Sequence, residues 1–277
     1  MYLFIGLFAW SDITKLQVPE GFEIQEFVTE IDDARQMVEG SNFIFVGTKS
    51  AGNVYAIDKN NANKVSVILT ELDMPTGVAL KNGDLYIAET DTIHVVKSIE
   101  EKLSSNKEIT TEIFFSDLPR KTMWNPVTKG WHGWKWIDFG PDGALYISEG
   151  VPCNVCDEDD PRYGTILKLE NDNLSIFADG VRNSVGFDWH PVSQEMYFTD
   201  NGRDWMGDDI PPCELNRVVS PGDHFGFPFI HGKNISDDKF KAPKDFTFSQ
   251  PVWEFQAHTA PLGLSLIHIS EPTRPIR

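Results

Sequence analysis

The groups able to do chemistry collect at a few points of the sequence. His132 stands at the entrance of an apolar run, Thr76 stands within Pro75-Thr76-Gly77, and Arg182 and Asn183 stand within Gly180-Val181-Arg182-Asn183-Ser184. All three places precede the same kind of segment. An architecture that brings equivalent positions to one mouth would therefore aim an imidazole and a guanidinium at one ligand. Taken alone, His132 is as readily a satisfied structural histidine, and His190, beside Pro191, reads as part of a turn. Downstream, Asp200-Asn201-Gly202-Arg203-Asp204-Trp205 is followed by Asp208, Asp209, Glu214 and Asn216. Oxygen side chains around a glycine-bearing loop suit a hard cation such as Ca²⁺, although the spacing is not that of an EF-hand and a solvated acidic loop is the competing reading. Asp157-Glu158-Asp159-Asp160 reads as solvated surface. Cys153 and Cys156 are the close pair among three cysteines. Zinc would need two further ligands that are not nearby, so a local disulfide in an exported protein is preferred over two buried thiols. Cys213 has no evident partner.

The elements that must position these groups are short strands. Trp134–Phe139 and Ala144–Ile147 are apolar runs joined by Gly140-Pro141-Asp142-Gly143, the composition of a tight hairpin turn. The frame recurs around Tyr86 and Tyr197, and more weakly around Phe45. With Tyr146, these anchors lie roughly 40–60 residues apart, a period suited to propeller blades. A second, β-branched run follows each anchor: Asn53–Ile57, Thr92–Val96, Thr165–Leu169 and Leu215–Val219. Sustained helical periodicity is missing; the nearest candidate, Ser98–Ser105, is short and polar. The expectation is an all-β propeller of four-stranded blades, four to five of them visible, with His224 to Pro228 a packed aromatic turn closing one blade.

At 277 residues and 40% hydrophobic, the chain can bury one large all-β core. A net charge of −18 argues against nucleic acid as a partner, because phosphate binding wants a basic stripe. Met1–Trp10 is apolar but too short to span a membrane. Residues 1–17 are read as a signal-peptide remnant or N-terminal extension, although a basic leader and a clear cleavage site are missing. Residues 18–263 are read as an incomplete propeller. Residues 264–277 resemble the translation of a transposase sequencing adapter, which would make them foreign to the fold and leave the ring cut short.

Six motifs occur in one order: Gly-Phe-Glu-Ile at 21–24, His132 before Phe-Gly-Pro-Asp-Gly, Cys-Asn-Val-Cys at 153–156, Gly-Val-Arg-Asn at 180–183, Glu-Leu-Asn at 214–216 and His-Phe-Gly-Phe-Pro at 224–228. Together they resemble the glucose/sorbosone dehydrogenase family, nearest its sorbosone dehydrogenase-like branch. The resemblance implies a six-bladed propeller, exported to the periplasm or secreted. Such a protein binds pyrroloquinoline quinone (PQQ) and Ca²⁺, oxidises sugars or related aldehydes, and passes electrons to an acceptor such as a cytochrome or quinone. By the same resemblance His132 is the general base, its pKa near working pH. Arg182 and Asn183 lie beside the quinone, Thr76 contributes to cofactor binding, and the backbone carbonyls of Gly202 and Arg203 hold the calcium.

Two departures matter. Val151 stands where the glucose-oxidising branch has an Asp supporting the histidine, leaving that role to Glu149 or to no residue. The basic residues that grip the cofactor's carboxylates come from blades beyond Gly263. Two alternatives stay open: a gluconolactonase-like Ca²⁺ hydrolase, which would gather side-chain carboxylates on one metal, and a non-catalytic binding propeller.

Overall fold

The structure, a computed structural model, describes residues 13–18, 20–120 and 132–266. The N-terminal apolar stretch and most of 264–277 therefore lie outside the described residues, as does Trp131. Three antiparallel four-stranded sheets and one sheet of five strands, the fifth of them parallel, follow one another along the chain as propeller blades. Blade 1 is β1 (Ala34–Glu39), β2 (Phe43–Thr48), β3 (Val54–Asp58) and β4 (Asn61–Leu69). Blade 2 is β5 (Gly77–Lys81), β6 (Asp84–Ala88), β7 (Ile93–Val96) and, after the helix α1 (Ile99–Ser104), β8 (Glu112–Phe115). Blade 3 is β9 (Ile137–Phe139), β10 (Leu145–Glu149), β11 (Thr165–Glu170) and β12 (Asn173–Asp179). Blade 4 begins with β13 (Phe187–Trp189), β14 (Met196–Asp200) and β15 (Cys213–Arg217). Its chain then leaves to add β16 (Asp223–His224) parallel to β12, forms the hairpin β17 (Ile230–His231) and β18 (Ile235–Ser236), and returns as β19 (Trp253–Phe255) beside β15.

All four aromatic anchors lie on the second strand of their blades, and each β-branched run becomes the third strand. Two details differ from the sequence reading. Trp134 to Trp136 form the entry to blade 3 rather than strand, because Lys135 and Trp136 bond sideways to Thr76 and Ser148. The short polar segment after Ser98 is helical, with Glu100 and Glu101 in its first turn, where carboxylates favour the exposed N–H groups. The β5–β6 turn holds Asn82 and Gly83 at φ 53° and 83°, the left-handed pair that matches the twist of a two-residue hairpin.

Apolar faces pack between blades. Phe45, Val54, Val78, Leu85 and Ile87 fill the seam of blades 1 and 2. Ala79, Ile93, Ile137, Ile147 and Leu167 fill that of blades 2 and 3, and Tyr146, Ile166, Phe187, Phe198 and Phe225 that of blades 3 and 4. Each such side chain contributes about 1.5–3 kcal/mol. Polar stitches bind the innermost strands. Gln36 donates to the Ile137 carbonyl at 2.7 Å and accepts from the Ile137 and Val78 amides, so one β1 side chain touches three blades.

Strand alternation puts the blade entries and the loops between second and third strands on one face. The hairpin turns, including His190, lie on the other. His132, Arg182 and Asn183 are on entries, whereas Lys49, Cys153 to Cys156 and Gly202 are on second-to-third-strand loops. All of them share the first face.

Candidate functional site at the mouth of the blades

His132 is buried at the entry to blade 3, with a left-handed backbone (φ 55°). Its Nδ1 lies 2.8 Å from the carbonyl of Val151. A carbonyl can only accept, so Nδ1 carries the hydrogen and the ring's basic lone pair is on Nε2. The support that the sequence left to Glu149 or to no residue thus comes from the backbone at the position where Val151 replaces an acid. Glu149 does something else. Its two oxygens sit 2.8 and 2.7 Å from Nζ of Lys135, with both side chains fully enclosed. Burial nevertheless pushes Glu149 up to about 7, against the pull of Lys135.

Val151 also donates its N–H to the Arg182 carbonyl at 3.0 Å, so one peptide segment couples the imidazole to the guanidinium-bearing strand entry. Gly150 keeps that contact close: a Cβ there would stand 2.7 Å from the His132 Cβ and 3.0 Å from Oδ1 of Asn183. The structure therefore brings His132, Arg182 and Asn183 together. The environment is not the one expected for a base poised near neutrality. Burial first, then the charge of Arg182 and, more weakly, of Lys49, hold His132 down to about 3. The imidazole is neutral at working pH but weakly basic.

Arg182 is buried and gripped. Its Nε donates to the Asn154 carbonyl (2.8 Å) and Nη2 to Asn154 Oδ1 (2.9 Å), while Nη1 donates to the carbonyls of Asn201 (2.9 Å) and Gly202 (3.0 Å). Asp200 holds the same entry by accepting the Arg182 and Asn183 amides at 2.8 and 2.6 Å. Asn154 lies between Cys153 and Cys156, which form a disulfide with Cα atoms 6.1 Å apart. The cysteine pair thus brackets the residue that positions Arg182. Sequence reasoning found the pair and missed the asparagine between its members. The remaining cysteine, Cys213, is free and buried.

Other expected site residues make structural contacts with their side chains. The Thr76 hydroxyl donates to the Lys135 carbonyl (2.9 Å) and accepts its amide (3.0 Å), which spends it on the seam of blades 2 and 3. The Arg203 side chain runs into an ion pair with Asp237 and reaches Asp238 at 3.1 Å. The acidic loop is likewise committed: Asp200 accepts two backbone amides, and Glu214 accepts Gly232 N at 2.6 Å and Asn216 Nδ2 at 2.9 Å. Among the described residues, no group of three or more His, Cys, Asp or Glu is placed to hold a metal. Asp160 pairs with Arg162 rather than standing solvated. None of the described helices is long and apolar enough to cross a membrane.

A family profile described as Glucose / Sorbosone dehydrogenase matches residues 88–271. An uncharacterized protein of Borreliella burgdorferi is 35% identical over 270 residues, covering 92% of this chain and 68% of that protein. Among solved structures, the chain is similar to the PQQ-bound form of an aldose sugar dehydrogenase from Streptomyces coelicolor (TM-score 0.65, 18% identity, 87% of this chain and 73% of that one). It is also similar to the calcium structure of a family AA12 carbohydrate-active enzyme from Trichoderma reesei (TM-score 0.69, 17% identity, 88% and 73%). At such identities the two structures speak for the propeller fold.

Proposed function

The chain belongs to the glucose/sorbosone dehydrogenase family, a family of oxidoreductases, and on that premise we propose that it oxidises a sugar or sugar aldehyde with PQQ held at the mouth beside His132, Arg182 and Asn183. The observation that carries this reading is the His132–Val151–Arg182 unit, in which the Val151 carbonyl accepts from the imidazole and the Val151 N–H donates to the backbone carbonyl of the residue that bears the fixed cation. The donor set fits the quinone. The Asn183 side chain makes no hydrogen bond among the described residues, and Arg182 supplies positive charge for an anionic, planar group. When bound, the quinone supplies the two-electron acceptor.

The chain's own contribution is to hold protons and charge in place. Val151 fixes the tautomer of His132, so Nε2 is the atom that takes the proton of the substrate's hydroxyl. Arg182, tied by four hydrogen bonds to carbonyl-type oxygens, cannot swing away. Its charge is therefore preorganised for negative charge that develops beside it.

Of the two carbonyls that would hold calcium, that of Gly202 also accepts an N–H from Arg182, so a metal there would share its oxygen with a cation. The hydrolase alternative needs carboxylates gathered on a metal, yet Asp200 accepts two backbone amides and Glu214 one backbone and one side-chain amide. We further place the protein in the periplasm or outside the cell, supported by the Cys153–Cys156 disulfide, with a cytochrome or quinone as electron acceptor.

Reconstitution with PQQ, an aldose and an artificial electron acceptor tests the reading. Turnover should require the quinone, and His132→Ala should lower kcat by about 10²–10⁴-fold, the usual worth of a positioned base. Full activity in that variant, or turnover without any quinone, would overturn it.

A further inference from the structure

Lys49, on the β2–β3 loop of blade 1, has no role in the reading above, yet its ammonium reaches the same mouth. Its Nζ lies 3.7 Å from the centroid of the Trp134 ring. The far side of that contact is His132, whose ring meets Trp134 edge-on at 5.9 Å and 87°. Together these distances keep ammonium and imidazole within about 10 Å of one another, a range over which charges still interact at physiological ionic strength. Lys49 belongs to blade 1 and Arg182 to the entry of blade 4, and the charges of both act on the imidazole.

The charge of Lys49 is only partly offset by the protein, through Asp33, while Arg35 acts against it. The nearest acid in its loop, Asp33, is spent on Arg35 (2.8 Å) and on the amide of Ser50 (2.6 Å). Among the described residues no carboxylate forms an ion pair with Lys49. Its backbone is meanwhile fixed at both ends, its N–H donating to the Asp33 carbonyl at 3.3 Å and its carbonyl accepting Gly52 N at 3.3 Å. Trp134 then orients the ammonium by cation–π attraction without neutralising it. In a chain of net charge −18, a held, unpaired cation beside the candidate base is a local reversal of sign.

We propose that Lys49 and Trp134 form a carboxylate-recognising subsite beside His132, and that the preferred substrate is an acidic sugar of the uronic-acid class. Such a sugar carries both an oxidisable anomeric carbon and a carboxylate. The assignment rests on the mouth being the substrate site, and it goes beyond that reading by naming the substrate class. Its anion would also offset one of the charges that hold the His132 ring so weakly basic.

The test is calorimetric titration of the full chain, without quinone, with sodium D-glucuronate and with D-glucose. Wild type should bind glucuronate about 10-fold or more tighter than glucose, the value of one hydrogen bond to a charged group. Lys49→Met should lose that preference while binding glucose as before, and Lys49→Arg should restore it. A circular-dichroism melt shows that each variant is folded. No detectable glucuronate binding by wild type, equal affinities, or a preference that survives in Lys49→Met would each overturn the proposal. Because binding is read without quinone, failure of the redox reading leaves the result intact.

Discussion

His132 holds a backbone conformation that favours glycine, φ 55°, because its ring is anchored on two sides, by the Val151 carbonyl and by the Trp134 edge. The same enclosure decides its charge. Burial and the charges of Arg182 and Lys49 act in one direction, and the hydrogen bond to Val151 does not outweigh them. We therefore expect the His132 imidazole to stay neutral, as the Nδ1–H tautomer, throughout pH 5–8. Nitrogen chemical shifts of the ring would read this directly, and an imidazolium at pH 6 would contradict it. A histidine of ordinary pKa would be largely charged at pH 5.

At the scale of elements, two devices hold the mouth. Lys135 enters blade 3 and meets Glu149 at the exit of β10 with no solvent on either side chain. Removing one partner strands a buried charge. Lys135→Met should cost about 3–5 kcal/mol in urea unfolding, and the double change Lys135→Met with Glu149→Leu should recover most of it. Wild-type stability in the single variant would show that the pair does not hold the blades. The Cys153–Cys156 bridge is the other device. As a closed four-residue loop it adds about 2 kcal/mol by the chain-entropy argument. Its larger effect should be on Asn154, which grips Arg182 twice. Replacing both cysteines with alanine should loosen PQQ binding several-fold while leaving glucose binding near wild type. Unchanged PQQ affinity, followed by quinone absorbance, would remove the loop from the site.

The molecule as a whole buries carboxylates in a way that sets its pH range. Burial raises Glu149 to about 7, Asp200 to about 6 and Glu214 to about 8. These folded pKa values lie above those of an unfolded chain. The stability these groups permit is therefore complete below about pH 4 and is lost as pH rises through 6 to 8. His132 works in the other direction: its depressed pKa gives stability that is present above about pH 6.5 and lost as pH falls toward 3. The melting temperature should thus peak near about pH 4 and decline toward about pH 8. Glu214→Gln should flatten the alkaline limb, since the orphaned Oδ1 of Asn216 can accept the new amide once the Asn216 side chain turns over. A melting temperature that climbs steadily from pH 5 to 9 would refute this account.

Local chemistry made much of this protein readable before any tertiary contact was considered. Alternating apolar runs around Tyr86, Tyr146 and Tyr197, with Gly and Pro between them, specify hairpins because strand faces alternate every residue and tight turns demand those φ values. The repeat of that unit specifies blades, and His132 and Arg182 are marked by standing at equivalent entries. The choice of partners was decided only when the blades packed. Thr76 is used up by Lys135 and Glu149 by the same lysine's ammonium, while the Gly202 carbonyl is taken by Arg182. Each of these is a buried polar atom that takes whichever partner the packing supplies, and nothing in its sequence neighbourhood says which. The sign of the mouth was settled in the same way. Lys49 lies far along the chain from Trp134 and His132, and only the meeting of blades 1 and 3 sets its unpaired charge beside the imidazole.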